Sequence, residues 1–339
     1  KEQDILDALD ENIDCYRHEA PKLAPHLSYR LKSSFPNDIF IQSVVDLNKQ
    51  SKVENITYNY IKHIRNRNIG NASVLLINNE TKEVEAYVGS ADFWDNQYQG
   101  QVDGIRAIRS PGSALKPFLY AMAFDKGIIC PKTVVTDVPI NYDGYRPSNY
   151  DGRYSGLISI EKALASSLNV PAIKVLDELE TNDFVELLGR SGFKRIKQDK
   201  SKLGLSLILG GCGVTLEELV NAYSTLANGG IYSGLKYIRS EEALYQDSIY
   251  SAGSSYMTSE ILATLIRPDL PNKFENSVHL PKIAWKTGTS YGRRDAWAIG
   301  YNTKYTIGVW VGNFSGIGIP ELNGAEFAVP LLFNVFNSI

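Results

Sequence analysis

"KIAWKTGTSYGRRDAWAIGYNTKYTIGVWVGNF", residues 282–314, divides into three short strands. Residues 282–290 form the first and 295–301 the second. Asn302, Thr303 and Lys304 turn the chain, and 305–314 return it. Upstream, "SVLLINNETKEVEAYVGS" (73–90) reads as a hairpin, with Val74 to Ile77 and Val84 to Val88 on either side of an Asn-rich turn at 78–82. Two early and three late strands can complete one antiparallel sheet. Helical patterns dominate the long insertion between them, from residue 113 to about 265. The expected architecture is therefore α+β: an antiparallel sheet of about five strands, flanking helices and a large helical lobe. The cleft is expected where sheet meets lobe.

Further out, residues 52–66 place Val53, Ile56, Tyr60, Ile61 and Ile64 at helical spacing. Residues 1 to about 50 read as polar and irregular, with Pro21, Pro25 and Pro36 as breakers, in the manner of a linker or docking segment. One long loop, "NYDGYRPSNYDGRYSG" (141–156), interrupts the helical part. It lacks the spacing of a calcium loop and reads as turn chemistry and a wall beside the substrate. "AEFAVPLLFNVFNSI" closes the chain as a helix kinked at Pro330.

Composition narrows the function. With 43% hydrophobic and 22% charged residues the chain has material for a real core. A net charge of −3 and no basic run give no reason to expect nucleic acid. Cys15, Cys130 and Cys212 cannot form a complete disulfide framework, and His18, His26, His63 and His279 are scattered, so neither a catalytic metal nor a cofactor is expected. The chain starts at Lys1 with no signal-peptide pattern and no apolar run near the ~18 residues of a membrane span. That is expected of a piece of a longer chain whose anchor lies elsewhere.

The chemistry is sought first in Ser-x-x-Lys, which occurs four times: Ser113/Lys116, Ser159/Lys162, Ser191/Lys194 and Ser233/Lys236. The last two pairs look like solvent-facing turns, and Ser159 like the N-cap of a helix. Ser113 differs. Pro111 and Gly112 provide a tight approach, and an apolar helix follows to Gly127. A serine at that helix start meets free N–H groups and a favourable dipole for developing negative charge. Lys116 falls on the same face one turn on, where desolvation would lower its pKa toward that of a usable base.

Two further motifs join it. Ser167-Leu168-Asn169 is the single Ser-x-Asn in the chain. Val170 precedes Pro171 and is expected to be extended, with Pro171 in the first turn of a new helix. Ser167 and Asn169 would then lie at a helix-to-helix connection and point the same way. Lys286-Thr287-Gly288-Thr289 lies on the first late strand. Strand alternation puts Lys286 and Gly288 on one face and the threonines on the other, unless twist or an edge position intervenes. A glycine there permits close backbone approach, and lysine with two hydroxyls suits a peptide carboxylate. In this order, SxxK, SxN and KTG match the signature of penicillin-binding proteins and class A β-lactamases.

"AYVGSADF", "GQVDGIRAIRSPGSALKPFLYAMAFDKG", "SLNVPAI", "AYSTLANGG" and "KTGTSYGRRDAWAIGY" resemble the transpeptidase domain of class A penicillin-binding proteins, in particular the C-type subgroup. The resemblance covers about residues 70 to 315. It implies the penicillin-binding transpeptidase and serine β-lactamase-like fold. Residues 1–70 would be a linker or docking segment after a glycosyltransferase domain absent from this chain, and 71–339 the transpeptidase domain. It further implies a peptidoglycan D,D-transpeptidase on the periplasmic face of the inner membrane, with stem peptides, β-lactams and other cell-wall synthesis proteins as partners. Ser113 would be the nucleophile, Lys116 its base, Lys286 a second cation, Ser167 a proton relay and Asn169 a holder of Lys116 and substrate. The N–H groups of Ser113 and Thr289 would bind the oxyanion, and Thr287 and Thr289 the terminal carboxylate. Arg293 stands where the subgroup usually has an apolar or aromatic residue, which bears on donor or acceptor preference.

Three other readings share parts of this pattern. A β-lactamase needs a glutamate to activate water, and the nearest match, Glu217 in "EELVN", sits in a helical pattern. A D,D-carboxypeptidase would use the same residues with water as acceptor. A β-lactam-binding sensor or scaffold would keep the trio with little turnover.

Overall fold

The computed structural model describes residues 22–142, 144–241, 245–270 and 282–339. Cys15, His18 and His279 lie outside them. The first element, α1 (Pro25–Ser34), corrects the reading of this stretch as irregular. Pro25 opens the helix, where its missing N–H costs nothing, and His26, Leu27 and Leu31 are buried. The next, α2 (Leu47–Ile64), starts earlier than periodicity suggested. The Asp46 carboxylate caps it by accepting from Asn48 N and Lys49 N.

β1 (Asn71–Asn78) and β2 (Val84–Val88) form the hairpin. A 3₁₀ turn (Gly112–Leu115) leads into α3 (Lys116–Asp125), whose end is marked by Gly127 at φ +69°. The lobe continues through β3 (Val134–Asp137), β4 (Gly156–Ser159), α4 (Ile160–Ala165), α5 (Asn169–Leu179), α6 (Thr181–Arg190), α7 (Lys194–Gln198), α8 (Leu216–Ala227), β5 (Ile231–Ser233), β6 (Gln246–Ser248) and α9 (Ala252–Ala263). The long loop is thus flanked by a two-stranded ribbon, β3 with β4, that the helical reading did not foresee. β7 (Ala284–Thr289), β8 (Asp295–Tyr301) and β9 (Tyr305–Gly312) follow, then α10 (Val329–Phe336). A π-turn at Gly324–Ala328 precedes α10 and Pro330 sits in its first turn, so the irregularity falls one turn before the proline.

The five strands form one antiparallel sheet in the order β2-β1-β9-β8-β7. Alternation along β1 sends Val74 and Leu76 into a core with α2 and α10, and Leu75 and Ile77 into a core with the lobe. Gly308 on β9 lets α8 cross the sheet: a Cβ there would lie 2.2 Å from Val220 Cγ2. α3 runs through the lobe core with every residue from Lys116 to Phe124 buried, which fits its all-round apolar sequence. The β7 edge faces the N-terminus of α3, and the site lies there.

Candidate active site

The turn bearing Ser113 is held from several sides. Tyr223 Oη donates to Ala114 O (2.7 Å), Trp297 Nε1 to Ser110 O (2.8 Å), and Ser110 Oγ to Gly210 O (2.8 Å). Two glycines let the turn press on β7. A Cβ on Gly288 would lie 2.2 Å from Pro111 O, and one on Gly112, at φ +53°, 2.2 Å from Thr289 O. The 3₁₀ geometry matters. Side chains three apart eclipse in a 3₁₀ turn, so half-exposed Ser113 and fully buried Lys116 share one face.

Lys116 Nζ donates to Ser167 O (2.6 Å) and Asn169 Oδ1 (2.7 Å). Lys286 Nζ donates to Ser167 Oγ (2.9 Å) and Thr287 O (2.8 Å). The three motifs therefore meet: two lysines converge on the Ser167–Asn169 connection beside Ser113. Burial, and then the neighbouring Lys286, holds Lys116 well below the ordinary lysine pKa. Burial also brings Lys286 down to about 7.

The connection itself differs from expectation. Leu168 is the extended residue (ψ 142°), α5 starts at Asn169, and Val170 is already helical. Ser167 takes the left-handed region at φ +55°. Strain of this kind in a non-glycine residue is characteristic of functional sites. Next to it lies a part of the site that the motifs did not reveal. Asn149, from the long loop, is buried; its Oδ1 accepts from Asn169 N (2.8 Å) and Val170 N (3.4 Å). Asn149 Nδ2 donates to the fully buried Asp137 carboxylate (2.9 Å) and to Arg153 O (2.8 Å). Asn169 Nδ2 donates to Ser148 O (2.8 Å). In the sequence the loop showed only its Asn, Asp and Tyr content, and no local signal marked Asn149 for burial.

On β7, Ser290 N donates to Asp295 O (3.0 Å) directly opposite. Antiparallel alternation then turns the N–H and C=O of Thr289 and Thr287 toward the open edge, facing the site. Gly288 faces the catalytic turn, and the Thr289 hydroxyl accepts from Gly324 N (3.0 Å). Arg293, at φ +53° in the β7–β8 turn, donates to Pro320 O and lies over the Tyr150 ring at 5.6 Å. It thus links the β7 wall to the loop wall.

The remaining Ser-x-x-Lys pairs lie elsewhere, in surroundings other than those expected. Ser191 is buried at the end of α6 and donates to Leu187 O, and Ser233 is buried on β5. Ser159 stands at the N-cap of α4, but its buried hydroxyl has no partner and caps nothing. Glu217 lies on α8, paired with Arg30, and lines a separate cavity with Ser191, Lys194 and Tyr237. Among the described residues no group of three His, Cys, Asp or Glu could hold a metal ion, and no helix is long and apolar enough to cross a membrane.

A family model described as the penicillin binding protein transpeptidase domain matches residues 72–316. Penicillin-binding protein 1C of Escherichia coli is 35% identical over 99% of this chain and 43% of its own length. Penicillin-binding protein 1F of Bacillus subtilis is 30% identical over 71% of this chain and 35% of its own length. The chain thus spans less than half the length of these relatives. Among solved structures, PonA1 of Mycobacterium tuberculosis in complex with penicillin V superposes with a TM-score of 0.75 at 19% identity, covering 93% of this chain and 91% of that one. Penicillin-binding protein 1A of Haemophilus influenzae gives 0.81 at 16% identity, covering 100% and 73%. The antiparallel sheet with its helical lobe is the fold these structures share.

Proposed function

We propose, from the premise that this chain belongs to the penicillin-binding-protein transpeptidase family, that Ser113 is the nucleophile of a D,D-transpeptidase. Its Oγ attacks the penultimate D-Ala carbonyl of a stem peptide while its proton passes to Lys116 Nζ. The tetrahedral oxyanion rests between the N–H groups of Ser113 and Thr289. Collapse breaks the peptide bond, and Ser167, bonded to Lys286, relays a proton to the departing D-Ala amine. An amine of a neighbouring stem then takes the acyl group and releases Ser113. Thr287 and Thr289 bind the terminal carboxylate. β-Lactams acylate Ser113 in place of the peptide.

The observation that carries this is the bonding of Lys116. A neutral amine has two N–H donors and one lone pair. As the neutral amine, Lys116 would spend both donors on Ser167 O and Asn169 Oδ1 and keep its lone pair for the Ser113 proton. Catalytic hydrogen bonds commonly tighten only on substrate binding.

We assign residues 71–339 to the transpeptidase domain and 1–70 to the segment that follows a glycosyltransferase domain in the full-length protein. The setting is extracytoplasmic, with peptidoglycan stem peptides and other cell-wall synthesis proteins as partners. The test is intact-mass labelling with a penicillin, wild type beside Ser113→Ala. One long-lived adduct, absent from the variant, is expected. An adduct that forms and hydrolyses within minutes would point to water as acceptor, and no adduct would remove Ser113 from the chemistry.

A further inference from the structure

The opposite edge of the sheet carries a cavity that acyl transfer does not use. Its volume is about 230 Å³, and its lining includes Ser90, Asp92 and Trp94 after β2, and Glu54, Asn55 and Tyr58 on α2. β2 lies four strand spacings from β7, roughly 19 Å, so this cavity and Ser113 do not share a ligand group. Ser90 is among the lining residues, and its own hydroxyl is buried, with no hydrogen-bond partner among the described residues.

The rim is aromatic. Tyr29 stacks on Phe93 (5.7 Å, 10°), and Trp94 meets Phe93 edge-on (5.0 Å, 77°). Yet Tyr29 is 67% and Trp94 62% exposed. Trp94 is the exposed one of four tryptophans, since Trp285, Trp297 and Trp310 are all buried. Exposed ring faces carry the negative side of the aromatic quadrupole, which suits the polarised C–H groups on one face of a pyranose. Carboxylate, amide and hydroxyl beside them suit its hydroxyl and N-acetyl groups. A lipid surface would cover the rings but leave the polar wall of Glu54, Asn55 and Asp92 unmatched.

We propose that this cavity is a saccharide subsite for a β-linked N-acetylhexosamine chain. Given the transpeptidase reading above, that chain is the glycan strand from which the stem peptides hang. Holding it at the sheet edge opposite β7 would bring a stem peptide to the cleft.

The probe is chitotetraose, which has the glycan chemistry and no stem peptide, with Trp94 fluorescence as the readout. The intact chain is titrated beside Tyr29→Ala, Asn55→Ala and Trp94→Ala, all at exposed positions. A saturable spectral change is expected in the wild type. It should be weakened about two- to ten-fold in Tyr29→Ala, the loss of one aromatic contact, weakened likewise in Asn55→Ala, and absent in Trp94→Ala. Penicillin labelling of Ser113 should be equal in all four proteins. No saturable change, unaltered affinity in both Tyr29→Ala and Asn55→Ala, or a response to anionic vesicles in place of chitotetraose would each overturn the proposal. If Ser113 labels and the sugar gives nothing, only the subsite falls; a sugar response without labelling sinks the catalytic reading alone.

Discussion

Asn149 Oδ1 accepts the backbone N–H of Asn169 at 2.8 Å, so the long loop holds the residue that in turn holds Lys116. The chain of contacts runs back to Asp137, a fully buried carboxylate with no ion-pair partner among the described residues. It accepts instead from Asn149 Nδ2 and Ser155 N. Asn149→Ala removes an acceptor from the start of α5 and a donor from Asp137. The expected cost is about 1–3 kcal/mol for buried groups left unpaired. Penicillin acylation should slow with it, because Asn169 and Lys116 lose their register. Thermal unfolding and acylation rate check this together; a wild-type rate would show that the loop does not position the site.

The contact between β7 and the catalytic turn makes a sharper demand. With a Cβ on Gly288 only 2.2 Å from Pro111 O, Gly288→Ala must push the strand and the turn apart. A displacement near 1 Å at a reacting centre costs about 10²-fold in rate. Acylation should fall by that order while the domain stays folded, since the strain is local. An unchanged acylation rate constant would mean that the turn and Thr289 need no close approach.

The five-stranded sheet was legible because each of its strands announced itself, whereas the short ribbons β3–β4 and β5–β6 were not. The hairpin at 73–90 and the turns at 302–304 punctuate apolar runs, and both faces of the sheet are buried by helices that share its chain. The site was legible as three motifs but not as a shape. Local rules placed Val170 in an extended conformation before Pro171, whereas the structure makes Leu168 the extended residue and strains Ser167 at φ +55°. The difference comes from Asn149, whose side chain caps α5 from twenty residues upstream, and no local pattern reports a contact at that distance. α1 is hidden for a related reason: a proline that breaks a helix and one that opens it look the same locally, and Pro25 opens one. Ser191 and Ser233 were misjudged because burial in a lobe is set by tertiary packing and leaves little trace in short polar stretches.

Lys116→Met separates chemistry from packing. Methionine fills a similar volume within the buried helix but offers no base. Loss of general-base help typically costs about 10²–10⁴-fold, and acylation should drop within that range. Ser167 O and Asn169 Oδ1 lose their donor, for an expected destabilisation of roughly 1–3 kcal/mol, which leaves the domain folded. Near-normal labelling by penicillin in this variant would remove Lys116 from the role of base.

The pH dependence of acylation follows from the same two lysines. Burial first, and the charge of Lys286 second, keep Lys116 well below the usual lysine value. Neutral Lys116, the base form, therefore becomes the major form at a pH well below the usual lysine value. The acylation rate constant should reach its plateau well below that value and fall on the acid side of the plateau. An ordinary exposed lysine would behave differently: the rate would climb about tenfold per pH unit up to its pKa near 10.4. Lys286 itself is brought to about 7 by burial, so its charge opposes protonation of Lys116 most strongly below that pH. Lys286→Met removes this repulsion, and Lys116 then takes up its proton at a higher pH. The acid limb of the variant should shift upward, whatever the drop in its plateau from the lost relay through Ser167. The measurement is the second-order rate constant for a fluorescent penicillin from about pH 5 to about pH 9, in both proteins. A wild-type rate that climbs about tenfold per pH unit across the whole range, as for an exposed lysine, would overturn the lowered pKa of Lys116. A limb that stays in place in Lys286→Met would show that the two ammonium groups do not feel each other.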